Sequence, residues 1–298
     1  MSSLLDPAFL RRLGRLKLAV RRRFAGSSAG SRRSLRRGSS AEFAEHRPYY
    51  PGDDVRRIDW NAYARLEELV LRLYVAEEDL HVHLLLDRSA SLGVGTPRKF
   101  DVAKQAAAAI GYVALSGSER VSVLAFSETL SEPLPSMRGQ KRIGTLLRHL
   151  EELQLSAPSV GSLSGTTSLT TSITRFLSRS PRPGVVVVIS DFLDPEGFAT
   201  ALDKLIAQKH EPVLVQVLDP EEVNPPVGHD VELVDSETGE VVDVSIDAAA
   251  VAAYRRRLQA FFEELSSYAK KRGLFYGLID HQENLDDVIL AYLRGGAR

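Results

Sequence analysis

The chain has 298 residues, with 38 Lys and Arg against 39 Asp and Glu, 44% apolar residues and no cysteine. That length and apolar content exclude intrinsic disorder over most of the chain and allow one large α/β domain or two smaller ones, while the missing cysteines exclude a disulfide framework, a thiolate metal site and a Cys nucleophile. The net charge of −1 hides a division: the first forty positions hold eleven basic residues against the single acid Asp6, about +10, and the remainder carries about −11.

Residues 7–24 place Phe9, Leu10, Leu13, Leu16 and Val20 at helical spacing, with Arg11, Arg12, Arg15, Arg22 and Arg23 on much of the remaining surface, which predicts a basic amphipathic helix. Residues 26–40, rich in Gly, Ser and Arg, read as a cationic linker. No apolar run approaches the roughly eighteen residues that cross a bilayer. The first residues also lack the sustained apolar stretch and small-residue cleavage site of a secretory signal, so the expected location is cytoplasmic, free or peripheral to the inner face of the membrane. The segment HRPYYPGDDVRRIDWN follows, with a turn at Pro51-Gly52-Asp53. Its charged residues Asp53, Asp54, Arg56, Arg57 and Asp59 are expected to form a salt-bridge network over a buried Trp60, or else to present a second interaction surface.

From Leu69 the pattern turns to strands, first by alternation and then in a run that ends at Asp87. Thr96 and Pro97 read as N-cap and first residue of a helix with Phe100, Ala103, Ala107 and Ile110 on one face. A strand at 121–126, a short edge at 129–134 limited by Pro133 and Pro135, a helix at 141–153, a Ser/Gly/Thr loop at 156–167 and a helix at 168–177 come next. The run Val-Val-Val-Val-Ile at 185–189 lacks polar alternation, as a central parallel strand covered on both faces should. Helix and strand then alternate to 293, with a hairpin at about 230–245 turning near Thr238-Gly239 and a long helix capped by Asp247 and ended by Gly273. The sum is a doubly wound, mostly parallel α/β sheet with helices on both faces, preceded by a basic arm.

Asp87, Ser89 and Ser91 stand at alternate positions directly after one buried strand, Asp191 directly after another, and Thr167 in the Gly-Thr loop before a helix. Strand ends of this kind line the ligand crevice of open α/β sheets. Two carboxylates and three hydroxyls form an oxygen-only set suited to Mg²⁺, Mn²⁺ or Ca²⁺ and unsuited to structural zinc. A turn and helix cap without metal would use the same residue types. His81 and His83, at i and i+2, suit packing or a metal pair.

DRSAS, GTTSL and the SD after VVVVI resemble the three parts of the metal-ion-dependent adhesion site of von Willebrand factor A domains. The block RPYYPGDDVRRIDWNAYARLEELVLRLYVAEED before the first metal-site strand narrows the resemblance to the domain-of-unknown-function family 58, over residues 42–294. The resemblance implies a von Willebrand factor A-like fold at 80–298 and a family-specific segment at 41–79, after the basic arm at 1–40. It further implies a divalent cation, Mg²⁺ first, held by Asp87, Ser89, Ser91, Thr167 and Asp191, and a partner carboxylate completing the coordination. Family relatives point to a MoxR-type AAA+ ATPase as partner, with the module acting as an adaptor in assembly or maturation of a client protein. Many relatives carry membrane helices before the Pro-Gly-Asp-Asp block, where this chain has the basic arm.

An enzyme is the weaker reading, because the chain has no GxxxxGK[ST], GxGxxG or HExxH motif and no GxSxG nucleophile elbow, and no spacing specifies a general base for Mg²⁺-dependent hydrolysis. The arm suits an anionic membrane surface, an acidic protein surface or nucleic acid; its two aromatics, Phe9 and Phe24, are too few for a stacking platform.

Overall fold

The structure, a computed structural model, describes Leu4, Arg11 and residues 43–74, 80–127, 133–156, 168–179, 181–194, 196–225, 230–234, 241–280 and 285–293. The expected arm helix apart from Arg11, the linker, Thr167 and the tip of the expected hairpin lie outside the described residues. The chain divides into two compact units, residues 22–79 and residues 1–21 with 80–298.

In the smaller unit, β1 (Phe43–Pro48) pairs antiparallel with β2 (Val70–Tyr74), and the register sets His46 opposite Arg72. Asp59 bridges the two side chains. One of its oxygens accepts from His46 Nε2 at 2.9 Å, and the other from Arg72 and from the backbone N–H groups of Asn61 and Ala62, so that it also caps the helix Trp60–Leu66. The Arg72 guanidinium holds the Asp59 carboxyl far below the ordinary carboxylate range. Asp53 accepts from Arg47 at 2.8 Å and from the N–H of Tyr50, closing the turn in which Gly52 takes a φ of +103°. Asp53 and Asp59 therefore pair with basic residues of the strands, while Asp54 accepts from the Arg56 backbone N–H. Trp60, expected beneath them, is instead 59% exposed and meets Tyr63 edge-on at 6.2 Å. Ile58 and Leu71 fill the buried apolar positions, and Trp60, Tyr63 and Leu66, three apart on a short helix, face outward together.

The larger unit is built on β3 (His81–Asp87), β4 (Arg120–Phe126), β5 (Leu134–Arg138), β6 (Val185–Ser190), β7 (Glu211–Val217) and β10 (Phe275–Ile279). Between the last two, β8 (Asp230–Val234) and β9 (Val241–Ser245) form the expected antiparallel hairpin. Among the described residues the main sheet runs β10-β7-β6-β3-β4-β5, parallel throughout except for β5. The edge strand runs from Leu134, the last residue of its expected span, whose residues 129–132 lie outside the described residues, and Pro135 falls in the irregular stretch between the pairs Val121–Met137 and Val123–Leu134.

Alternation along β6 explains why its sequence is apolar without a break. Val185, Val187 and Ile189 enter one core with the helices Lys99–Ser116, Ile143–Glu152 and Leu285–Leu293, while Val186 and Val188 enter another with Leu169–Ser178, Ala199–Ala207 and Ala248–Lys271. The first helix begins at Lys99 and not at Pro97, because the chain makes a further turn through Gly95, where φ is +92°. Among the described residues no helix is long and apolar enough to cross a membrane.

From β3 the chain moves out to β4 and β5, then returns to the other side of β3 to lay down β6, β7 and β10. The topological switch point therefore falls between β3 and β6, and the carboxyl ends of those two strands are where open α/β sheets place a ligand crevice.

At the opposite end of β3, the His83 ring stacks on His81 and meets Phe176 and His210. Its Nε2 lies 2.9 Å from the Arg182 carbonyl, which can only accept, so that nitrogen carries the proton and Nδ1 accepts from Ser122 at 2.8 Å. Both nitrogens are thus committed to packing. Burial, reinforced by the neighbouring histidines, pushes His83 down to about 4. The unfolded chain protonates first as pH falls below the ordinary 6.5, so this ring withdraws roughly 3 kcal/mol of stability between there and about 4. An NMR titration of the ring should show its midpoint near 4; one near 6.5 would contradict this packing.

Candidate metal centre

The strand β3 ends on Asp87, and the register that pairs Leu86 with Ile189 brings Asp87 beside Ser190 at the end of β6. Ser190 Oγ donates to Asp87 Oδ2 at 2.6 Å and itself accepts from the Phe192 N–H at 3.0 Å. Asp87 Oδ1 accepts from the N–H of Ser89 at 2.9 Å, which turns the chain out of the sheet, and Ser89 Oγ lies 2.9 Å from Ser91 Oγ. The turn is held laterally as well. Arg88 donates its N–H to Phe126 at the end of β4, and its carbonyl accepts from Ser156.

Asp191 follows β6 directly. Its carbonyl accepts from Gln216 Nε2 at 2.9 Å, its Oδ1 from the Leu193 N–H at 3.1 Å, and its Oδ2 from Lys99 Nζ at 3.1 Å. Phe192 adopts a left-handed φ of +60°, which sends its ring into the core while the chain continues over the crevice. A bulky residue in that conformation stores strain of order 1 kcal/mol, and such strain collects at functional sites.

Of the five predicted site residues, the structure thus brings Asp87, Ser89 and Ser91 together on one strand end and sets Asp191 on the neighbouring one. Thr167 lies outside the described residues; the residue after it, Ser168, caps the next helix and donates to Glu196 at 2.6 Å. Asp194 accepts from the Leu169 N–H at 2.6 Å, which ties that helix start to the loop following Asp191.

Asp87, Ser89 and Asp191 are buried, and Ser91 is partly exposed. Burial first, and then the like charge of Asp191, push the Asp87 carboxyl up to about 7. Two buried carboxylates that repel each other are an electrostatic invitation to a cation. Among the described residues no three His, Cys, Asp or Glu side chains gather to hold an ion by themselves, so hydroxyls and water would have to complete the coordination of one. That chemistry fits a hard divalent cation, and the residues on hand to hold it are Asp87, Ser89, Ser91 and Asp191.

Sequence reasoning missed three groups. Ser190 stands in the SD at the end of β6 but carries no assigned role in the sequence, since only Asp191 of that pair reads as a ligand. Gln216 is fully buried in β7 and receives the Tyr276 hydroxyl at 2.8 Å. Lys99, only 2% exposed, places its ammonium 2.7 Å from Glu222 as well as against Asp191. Burial opposes its charge, but Asp191 and Glu222 outweigh burial and raise its pKa. The run Asp219-Pro220-Glu221-Glu222 carries a readable capping-box pattern, which the structure forms; nothing in it announces that Glu222 would meet a lysine 123 positions earlier.

Comparison with known proteins finds a relative in Mycobacterium tuberculosis, an uncharacterized protein 35% identical over 259 residues, covering 84% of this chain and 80% of its own. Among solved structures, the chain is similar to an aerotolerance-related membrane protein from Bacteroides fragilis, at 18% identity and a TM-score of 0.46 over 72% of this chain and 96% of that one. It is also similar to a von Willebrand factor type A structure from Catenulispora acidiphila, at 14% identity and a TM-score of 0.43 over 76% and 44%. The fold itself is read from this chain's own strand order. The family model described as Protein of unknown function DUF58 matches residues 45–264, and with that span and that relative the chain belongs to the DUF58 family.

Proposed function

We propose that this chain is a metal-dependent protein-binding module. The observation that carries the reading is the pair of buried carboxylates, Asp87 and Asp191, at the ends of the two strands flanking the switch point, with Ser89 and Ser91 alongside. Asp87, Asp191 and Glu222 against Lys99 leave a net −2 when all are ionised, the charge that one divalent cation balances. In this reading Ser89, Ser91 and Thr167 hold the cation, Asp87 and Asp191 act directly or through water, and a carboxylate from the partner completes the set. The neutral hydroxyls leave the cation able to attract that outside carboxylate.

The family resemblance supports a MoxR-type AAA+ ATPase as the partner, with this chain as an adaptor in the assembly or maturation of a client protein, and Mg²⁺ as the cation. An immobilised, purified MoxR-type ATPase tests it. Full-length protein should be retained with Mg²⁺ present and lose at least about tenfold of its affinity on chelation, and the same on Asp87→Asn substitution. Retention that survives both changes would reject a metal bridge.

A further inference from the structure

Lys99 opens the helix Lys99–Ser116, the end at which the helix dipole disfavours a cation. It is also among the largest fully buried side chains described. A buried lysine at a helix N-terminus persists only where carboxylates compensate it, and here they do: Glu222 at 2.7 Å and Asp191 at 3.1 Å. The two carboxylates are held differently. Glu222 Oε2 accepts from the Asp219 N–H at 2.8 Å, and its partly exposed carboxylate belongs to the short helix Pro220–Val223. Asp191 is fixed at its carbonyl by Gln216 and at Oδ1 by Leu193, so Oδ2 is the oxygen that Lys99 occupies.

We propose that Lys99 is a resident competitor for the cation site: its ammonium holds Asp191 Oδ2 in the metal-free protein and retires onto Glu222 when a divalent cation binds. The inference rests on the reading of Asp87, Ser89, Ser91 and Asp191 as a cation site and adds a regulator to it. Glu222 is the parking place for the displaced charge. The Lys99–Glu222 pair therefore sets how tightly the site binds, and it links cation binding to the Pro220–Val223 turn, whose capping carboxylate is the same Glu222. Gly95 lies next to this turn, since a Cβ there would collide with Asp219 Oδ2, so the turn and the loop leaving Ser91 are packed together.

Competition and support predict opposite signs. If Lys99 competes, removing its charge tightens binding, and removing its alternative partner weakens it. If Lys99 only braces Asp191, both changes weaken binding. The test is Mn²⁺ titration by calorimetry and electron paramagnetic resonance on full-length wild type, Lys99→Met, Lys99→Gln and Glu222→Gln, with circular dichroism checking that each is folded. Lys99→Gln keeps a hydrogen-bond donor for Asp191 without the charge, and covers the case in which Lys99→Met fails to fold. Lys99→Met and Lys99→Gln should bind Mn²⁺ about tenfold more tightly or better, and Glu222→Gln about threefold more weakly or worse, because a unit charge a few ångströms away is worth that much or more in a partly buried site. Wild type binding while both Lys99 variants bind equally or more weakly would overturn the competitor and leave the cation site standing. Binding only in the Lys99 variants would support the competitor in its strongest form and show that the native lysine replaces the ion. Binding in none of them would overturn both.

Discussion

Asp87→Asn is expected to stabilise the metal-free protein at pH 8, by on the order of 2 kcal/mol, while abolishing its stabilisation by divalent cations. The gain comes from the cost of keeping a buried carboxylate ionised next to Asp191, which lifts Asp87 from 3.8 to about 7. In a metal-free site that cost is fully present above about 7 and fades as pH falls toward the unfolded value of 3.8, because there the folded chain holds a proton that the unfolded chain does not. Asparagine removes the charge and keeps an acceptor for the Ser89 N–H, but the Ser190 hydroxyl loses its carboxylate partner, which returns part of the gain. The advantage of the variant should therefore be present at pH 8 and shrink toward zero by pH 5. With Mn²⁺ at about a hundred times its dissociation constant, wild type should gain about 2.7 kcal/mol and the variant nothing, so their order of stability reverses. Urea midpoints at pH 5 and pH 8, with chelator and with Mn²⁺, read all four quantities. A variant less stable than wild type in chelator at pH 8 would mean that Asp87 is not strained by its charge.

The substitution also exposes the opposite behaviour of His83. That ring costs stability as pH falls from 6.5 to about 4, while Asp87 returns stability over nearly the same interval. Where the two act together their slopes oppose each other, and in Asp87→Asn the acid loss due to His83 should stand out as a steeper limb.

What could be read in the chain alone follows from how local each signal is. The apolar run of β6 reports its own burial on both faces, and Asp87 and Asp191 announce themselves by ending such runs, so the sheet and half of its crevice are visible in single short segments. The start of the helix at Lys99 shifts by two residues because a turn through Gly95 precedes it, a matter of backbone path that residue preference does not settle. Trp60 defeats its ordinary tendency to be buried because Asp59, pinned by His46 and Arg72, fixes the helix with its 60, 63 and 66 face turned outward. Lys99 is the extreme case. A lysine opening a helix reads as solvated surface, and only the approach of residues 92 and 123 positions later makes it the buried cation of the site.

That buried cation is why Asp191→Ala is expected to act in the direction opposite to Asp87→Asn, destabilising the metal-free protein by about 3 kcal/mol. Both residues are aspartates at the ends of adjacent parallel strands, and both are buried. They differ in partners. Asp87 faces hydroxyl and amide dipoles, whereas Asp191 faces a full positive charge on a side chain that is 1% exposed. Truncating Asp191 leaves the Lys99 ammonium with Glu222 alone and strips the Leu193 N–H of its acceptor, and breaking one side of a buried ion pair costs far more than the pair contributes relative to an apolar substitute. Glu222 keeps the loss near the lower end of the range for such changes. Asp191→Asn, which retains an acceptor for Leu193, should cost about half as much. The decisive comparison is the double variant Asp191→Ala with Lys99→Met, in which no buried ammonium is left opposite an empty place and only the partly exposed Glu222 loses a partner: it should recover about 2 kcal/mol relative to Asp191→Ala alone in chelator, a coupling that a double-mutant cycle isolates. Additive losses in that cycle would show that Lys99 and Asp191 do not share the interaction that their 3.1 Å separation describes.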